Sequence, residues 1–377
     1  MLRALANATK DTSWLDVEQA VEARIDSQSD VATWVRRTEG AAAVLAEVSA
    51  KVGRAVHVDG VELLSRRAAL RGLTPQGAIS AGGSSRLLKA RDGWVALSLS
   101  RPDDWDLVPA LLGVDSPGWD AVAVAVAQTA AVELAAWAGE LGLAVSVLPE
   151  EDEPSDEQWR SRHERNGPWV ISCTPGSGHR RTLRRVVDLS ALWAGPLCAS
   201  LLGLAGAEVI TVESTTRPDG ARIGDPELHR LLHEGNTFVT LDFRDRAGIE
   251  ELHRLVDEAD VVVSSARMRA LQPLRLDPFA AVERRPGLTW VGISAYGLTG
   301  PWSNRIGYGD DTAVAGGLVA RHPDPTFCAD AVADPITGLY AAIAALAVSA
   351  SGGGVIDAAL RDAAAHVARP VQPAVPA

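Results

Sequence analysis

From Leu183 onward the sequence alternates between two periodicities, and that alternation limits the possible folds more than any other feature of the chain. Val186–Leu189 is a short apolar run of strand type, residues 191–205 carry helical spacing and stop at Gly206, and Glu208–Glu213 is strand-like again. The pattern continues with a strand at Thr237–Leu241, a helix at Arg246–Ala259, a strand at Val261–Ser264 and, after a helical segment, a strand at Leu288–Ser294. Beyond Asp334 come one long helix closed by the glycines at 352–354, a strand at Val355–Asp357 and a last helix to about residue 368. Parallel strands must be joined by crossovers, which helices supply. The order therefore predicts an α/β fold, a parallel sheet with helices on both faces.

Residues 1–148 read as a smaller mixed α+β domain. The turn pair Asp92-Gly93 precedes Trp94–Leu99, which places a hairpin or a strand start there. An alanine-rich helical stretch runs from Trp119 to Leu141, stops at Gly142 and gives way to a short strand at Ala144–Leu148. Residues 149–182 read as a linker, acidic in EEDEPSDEQ and then basic and rich in Gly, Ser and Pro; 183–368 form the α/β domain and 369–377 a disordered tail. With 377 residues, of which 47% are hydrophobic, two cores of this kind can be filled.

Composition narrows the partners. A net charge of -12 argues against nucleic acid, whose phosphates need clustered Lys and Arg, but leaves room for a small anion where basic residues gather. No uninterrupted apolar run of membrane-spanning length, about 18 residues, is present, and Lys10, Asp11, Asp16 and Glu18 stand where a signal peptide needs an apolar block. The expectation is a cytoplasmic protein with no membrane partner. Cys173, Cys198 and Cys328 are too scattered for a disulfide framework or zinc ribbon and read as buried small hydrophobes.

Several motifs fall short of a known chemistry. The turn after the first α/β strand, Asp188 to Gly195, has one glycine where a dinucleotide fingerprint needs three, so neither NAD nor FAD is expected. Gly292-Ile-Ser-Ala-Tyr-Gly297 has Tyr296 where a nucleophile elbow needs glycine. His229 and His233 share a helical face at i, i+4, a spacing that can hold zinc, but the sequence shows no third ligand, and the pair reads as a solvated face. No metal site is expected. Asp334 precedes Pro335, which favours the first helical position, so Asp334 reads as an N-cap. A carboxylate held there by N–H groups and the helix dipole also stays ionised, as a carboxylate nucleophile must.

The segments VVDLSALWAGPLCASLLGLAGAEVITVE (186–213), TLDFRDRAGIEELHRLVDEADVVV (240–263), VGISAYGLTGP (291–301), ADPITGLYAAIAAL (333–346) and VIDAALRDAA (355–364) occur in an order that resembles the family III, or CaiB-BaiF type, CoA-transferases. Residues 84–113 more faintly resemble that family's second domain. Here the two segments stand in swapped order, as in a circular permutation or a fragment of a tandem duplication. The resemblance implies a Rossmann-like domain, a homodimer, and acyl-CoA and carboxylic acid substrates. Coenzyme A enters as part of the substrate, with no permanently bound cofactor. It also implies that Asp334 is the nucleophile that forms an aspartyl-CoA thioester. CoA contacts are implied at Leu192, Trp193, Ala194, Ser265, Ala266, Ser294 and Tyr296.

Departures from the family pattern fall on the phosphate-binding positions. Ser214, Asn236 and Thr237 stand where the family carries basic residues; Arg217, Arg222, Arg267 and Arg269 are near enough in sequence to substitute. Gly82-Gly83 is a possible counterpart of the family's glycine-rich loop over the nucleophile. Tyr308 takes the place of the histidine base used by racemases of the same family, and none of the 8 histidines lies in that segment. A lapsed family member acting as a scaffold, and more distantly a racemase, stand as alternatives to the transferase.

Overall fold

The computed structural model describes residues 30–115, 118–150, 170–172, 183–321 and 323–368. Helices α1 (Asp30–Val52) and α2 (Gly60–Arg71) come first, followed by the hairpin β1 (Ser85–Lys89) and β2 (Trp94–Ser98). Ala90 and Gly93 close its turn, N–H to carbonyl, at 2.9 Å. Helices α3 (Asp104–Leu112), α4 (Trp119–Val126) and α5 (Ala131–Leu141) then lead to β3 (Ala144–Val147), which completes an antiparallel sheet ordered β1-β2-β3.

The helix expected to run unbroken from 119 to 141 is two helices. At the tip of the hairpin, Asp92 Oδ1 accepts the Ala131 N–H at 2.8 Å, and the Arg91 N–H donates to the Thr129 carbonyl at 3.0 Å. These tertiary bonds cap a fresh helix start at Ala131 and satisfy backbone groups that continuation of α4 would have used.

The main sheet is built from β4 (Val170–Ser172), β5 (Arg185–Leu189), β6 (Glu208–Ser214), β7 (Thr237–Leu241), β8 (Val261–Ser264), β9 (Thr289–Ser294) and β12 (Gly354–Ala359), the short pair β10 (Val319–Ala320) and β11 (Thr326–Phe327) standing apart. Its order is β4-β12-β9-β8-β5-β6-β7. Every neighbouring pair is parallel except β12 with β4, an antiparallel edge strand drawn from the segment expected as linker. The rest of that segment within 151–169 and 173–182, and the tail 369–377, lie outside the described residues.

The helices of this part are α6 (Ala194–Leu204), α7 (Pro226–Leu232), α8 (Arg246–Glu258), α9 (Pro278–Arg284), α10 (Gly309–Ala315), α11 (Ala333–Ala350) and, after the last described strand, α12 (Leu360–Ala368), with short turns of helix between some of them. Successive strand residues serve opposite faces. Val186, Val261, Val263, Val291 and Ile356 join the core under α6 and α11, whereas Val187, Val262, Trp290 and Val355 join the core under α8 and α9. Strands buried on both sides need continuous apolar runs, and that is what the sequence carries there.

α1 packs into the same core as α6 and α11 through Trp34, Val44, Leu45 and Val48. Its buried Arg37 donates from Nη1 to the carbonyls of His366 (3.0 Å) and Val367 (2.9 Å), satisfying the last turn of α12. The small sheet with α3–α5 keeps a core of its own around Leu97, Val108 and Leu134. It meets the larger unit through an apolar patch, Leu87 and Ala96 against Val314, Val319 and Phe327, and through one serine from each strand. Ser98 and Ser146 donate to the two Asp311 oxygens at 3.1 Å, and Ser85 donates to Asp310 at 3.4 Å.

α11 is long and apolar enough to cross a membrane by length and composition, but 83% of it is buried inside the protein, which accounts for its apolarity. Ile336, Leu339, Ile343 and Leu346 on it are at most 1% exposed; each contributes about 1.5–3 kcal/mol by burial. Cys198 is buried in this core and Cys328 is partly buried, while Cys173 lies outside the described residues. Gly338 sets the approach of α11 to α6: a Cβ there would stand 2.7 Å from the Ala194 carbonyl oxygen and 3.0 Å from Leu197. Gly338→Ala should therefore destabilise by about 1–3 kcal/mol, overpacking exceeding the helix-propensity gain of at most about 1 kcal/mol. Urea denaturation beside Gly93→Ala, where nothing lies within 4 Å of the added carbon, checks this; the control should change stability by no more than about 0.5 kcal/mol.

Candidate functional site

The sheet has its topological switch at β5. From β5 the chain passes to β6 on one side and later returns to β8 on the other, so the loops leaving β5 and β8 diverge at their carboxyl ends. Crevices of this kind are where open α/β sheets take ligands. The loops are stitched together: the Ala191 N–H donates to Ser265 Oγ at 3.0 Å.

The turn after β5 is strained. Leu192 sits at φ 72°, a left-handed backbone that costs a branched residue about 1–3 kcal/mol. It is held there by its N–H, 3.1 Å from both carboxylate oxygens of Asp219. Trp193 is buried behind it, and Ala194 begins α6 with its N–H turned to the Asp334 carboxyl. Of the expected turn residues, Ala194 thus meets the expected nucleophile, while Leu192 turns to Asp219 and Trp193 to Arg67.

Asp334 is not an N-cap. α11 begins at Ala333, so Asp334 lies in its first turn and Pro335 follows within that turn, where a missing N–H goes unneeded. The turn before the helix is held instead by Asp310, whose Oδ1 accepts the Ala331 N–H at 2.9 Å. Gly309 stands against the carboxyl group; a side chain there would run into Asp334 Oδ2 and the Ala331 carbonyl. Nor does the helix dipole hold Asp334 ionised at low pH. Burial pushes its pKa up to about 7, and Asp310 and Asp311 push the same way, against Arg67 and the Ala194 N–H. Burial likewise raises Asp310 to about 6 and Asp311 to about 7.

Sequence reasoning missed Arg67 on α2. It donates to Asp330 Oδ1 at 2.9 Å and to Asp225 Oδ2 at 3.1 Å, and its guanidinium carbon lies 5.8 Å from the centre of the Trp193 ring. No local pattern marks it, since its partners lie far along the chain. The adjacent acids Asp310-Asp311 behind Gly309 were a visible signal and went unread. Gly82 lies next to the Arg67 guanidinium, 3.6 Å from where its Cβ would be, which brings Gly82-Gly83 near the same corner.

The remaining expected contacts divide. Arg267, partly buried, donates to the Asn304 carbonyl at 3.2 Å; burial lowers its pKa, and the charges of Arg269, Arg101 and Arg217 lower it further. All three thus lie within electrostatic range of Arg267, and Arg101 is paired with Asp104 at 2.8 Å. Arg222 is committed elsewhere, to Glu213 at 2.7 Å. Ser294 Oγ accepts the Gly297 N–H at 2.8 Å, the Tyr296 hydroxyl lies 2.7 Å from Ser146 Oγ in a buried position, and Ala266 packs against the second core. His229 and His233 do not form a solvated face: they are 7% and 5% exposed, because α7 turns them inward toward Asp219.

The model of CoA-transferase family III matches residues 184–373. The chain is 33% identical over 190 residues to a probable CoA-transferase of Mycobacterium tuberculosis, covering 45% of this chain and 24% of that protein. It is 30% identical over 177 residues to a succinyl-CoA–D-citramalate CoA-transferase of Chloroflexus aurantiacus, 43% of each chain. With an (R)-2-hydroxy-4-methylpentanoate CoA-transferase of Clostridioides difficile it shares 31% identity over 180 residues, 43% of this chain and 45% of the other. A solved CAIB/BAIF family protein from Brucella suis matches with 33% identity and a TM-score of 0.44, covering 48% of this chain and 53% of that one. The chain spans less than half the length of these curated relatives. Family model, sequence relatives and the doubly wound sheet with its switch-point site agree: this chain belongs to CoA-transferase family III.

Proposed function

We propose that the chain transfers CoA from an acyl-CoA donor to a carboxylic acid, with Asp334 as the nucleophile. The observation that carries this reading is the position of Asp334: a carboxylate in the first turn of one helix, facing the first N–H of another, at the switch point of the sheet. In the proposed cycle the Asp334 carboxylate attacks the thioester carbonyl and expels CoA thiolate, leaving a mixed anhydride. The thiolate attacks the aspartyl carbonyl of that anhydride, releasing the donor acid and leaving an aspartyl-CoA thioester. The acceptor carboxylate then attacks the aspartyl carbonyl, expelling the thiolate, which takes the acceptor acyl group and restores Asp334. Covalent capture divides one exchange into easier steps, and the Ala194 N–H is placed to stabilise oxyanions formed at Asp334.

For the CoA phosphates, Arg217, Arg267 and Arg269 offer the charge that Ser214, Asn236 and Thr237 lack, Arg101 being paired with Asp104 at 2.8 Å. Asn236 is turned inward, donating to Thr211 Oγ1 at 3.0 Å.

Incubation with a panel of acyl-CoAs and hydroxylamine, followed by intact-protein mass spectrometry, tests the mechanism. Wild type should gain a hydroxamate that Asp334→Ala does not; no adduct and no CoA binding by calorimetry would favour a scaffolding role instead. Arg267→Gln should weaken CoA binding by about 1.5–3 kcal/mol in the same calorimetry, the range for hydrogen bonds to charged groups.

The raised pKa of Asp334 gives two effects of pH with opposite signs. As a carboxylate nucleophile it gains reactivity as pH rises through about 7. As a half-buried acid whose folded pKa exceeds its unfolded value, it costs no stability below about 4, increasingly opposes folding as pH rises from there to about 7, and above that exerts a constant penalty. Asp334→Asn should therefore melt at a higher temperature than wild type at pH 8, with the difference shrinking toward pH 5; differential scanning calorimetry at the two pH values checks this.

A further inference from the structure

Beside the strained turn lies a second buried cluster that the transfer chemistry does not use. His229 and His233 stack with ring centres 4.2 Å apart. One ligand atom from each, and a carboxylate oxygen of Asp219, lie within 4.8 Å of one another, and all three residues are buried. His233 Nδ1 lies 2.8 Å from the His229 carbonyl oxygen, which can only accept. Nδ1 therefore carries the proton and Nε2 presents its lone pair, the arrangement by which an outer hydrogen bond orients a metal-binding imidazole. His229 Nε2 is buried and has no hydrogen-bond partner among the described residues.

Asp188 lies within electrostatic range of Asp219 and His233, and among the described residues its buried Oδ2 has no hydrogen-bond partner either. Among the described residues neither Asp188 nor Asp219 forms an ion pair, while the nearby Arg222 is taken up by Glu213. Two imidazoles and buried carboxylates thus converge where a cation would satisfy the unused donor atoms.

We propose that Asp219, His229 and His233 form a binding site for a divalent transition metal, zinc by chemical preference, with Asp188 balancing its charge. Two nitrogens and a carboxylate oxygen suit zinc, and a tetrahedral ion would draw the donors to roughly 3.4 Å from one another, a closure within reach of side-chain rotation. Asp219 also holds the Leu192 N–H at 3.1 Å. A metal on Asp219 would fix the carboxylate that keeps Leu192 in its left-handed conformation, and so the turn that leads to Ala194. Its role is structural, one step removed from the reacting atoms.

The test needs no acyl-CoA, so its outcome is independent of the transferase reading. The full chain, stripped with a chelator, is titrated with Co²⁺ and followed by visible absorption, and bound zinc is measured by elemental mass spectrometry after dialysis. A single equivalent of metal, the intense visible bands of four-coordinate cobalt, and a melting temperature raised by zinc are the expected results. His229→Gln, His233→Gln and Asp219→Asn should each lose at least about tenfold in metal affinity. A wild-type chain that takes up no cobalt would overturn the proposal without any variant having to fold. So would a cobalt spectrum that persists in folded His229→Gln and His233→Gln, since the metal would then sit elsewhere.

Discussion

The approach of α11 to α6 sets the geometry of everything near the site. Gly338 lies against the Ala194 carbonyl, and a single added carbon there would stand only 2.7 Å from it. With the helices this close, the first turn of α11 meets the first residue of α6, which is why the Asp334 carboxyl meets the Ala194 N–H. Gly195 permits a matching contact with Ser190, so the turn after β5 folds tightly onto the start of α6. Close-packed interiors transmit such constraints, because neither helix can move without opening space along Leu197, Ile336 and Leu339.

Around this contact the protein buries more acid than base. Asp310, Asp311, Asp330 and Asp334 all have raised pKa values, burial being the leading cause in each. Asp310 and Asp311 are tied down by serines from all three strands of the small sheet, a polar contact beside the apolar one of Leu87 and Ala96 with Val314, Val319 and Phe327. Arg67 reaches in from α2 to hold Asp330 and Asp225. The N-terminal helices are therefore part of the site's electrostatics as well as of its core. Such an arrangement works against stability, since a carboxylate kept partly dehydrated is a poor folding element.

Much of the architecture was legible because strand and helix leave different periodic marks. The runs Val186–Leu189 and Val261–Ser264 are apolar throughout because both faces of their strands are covered. The start of α11 was legible at Pro335, although its capping was not: that turn is held by Asp310, from another element. The break between α4 and α5 was invisible for the same reason, since Asp92 caps Ala131 from the tip of another element. His229 and His233 showed their spacing in the sequence but not their burial or their third neighbour.

The parallel sheet, the order of its elements and the family segments could be read from the chain alone, because they depend on local periodicity and contiguous motifs. Which charges meet depends on packing. Arg67 with Asp330, Asp219 with Leu192 and His229, and Arg101 with Arg267 are separated along the chain and brought together only by packing. Desolvation, which sets the protonation of Asp334, likewise depends on what surrounds a group in space, and no residue's neighbours in sequence determine that.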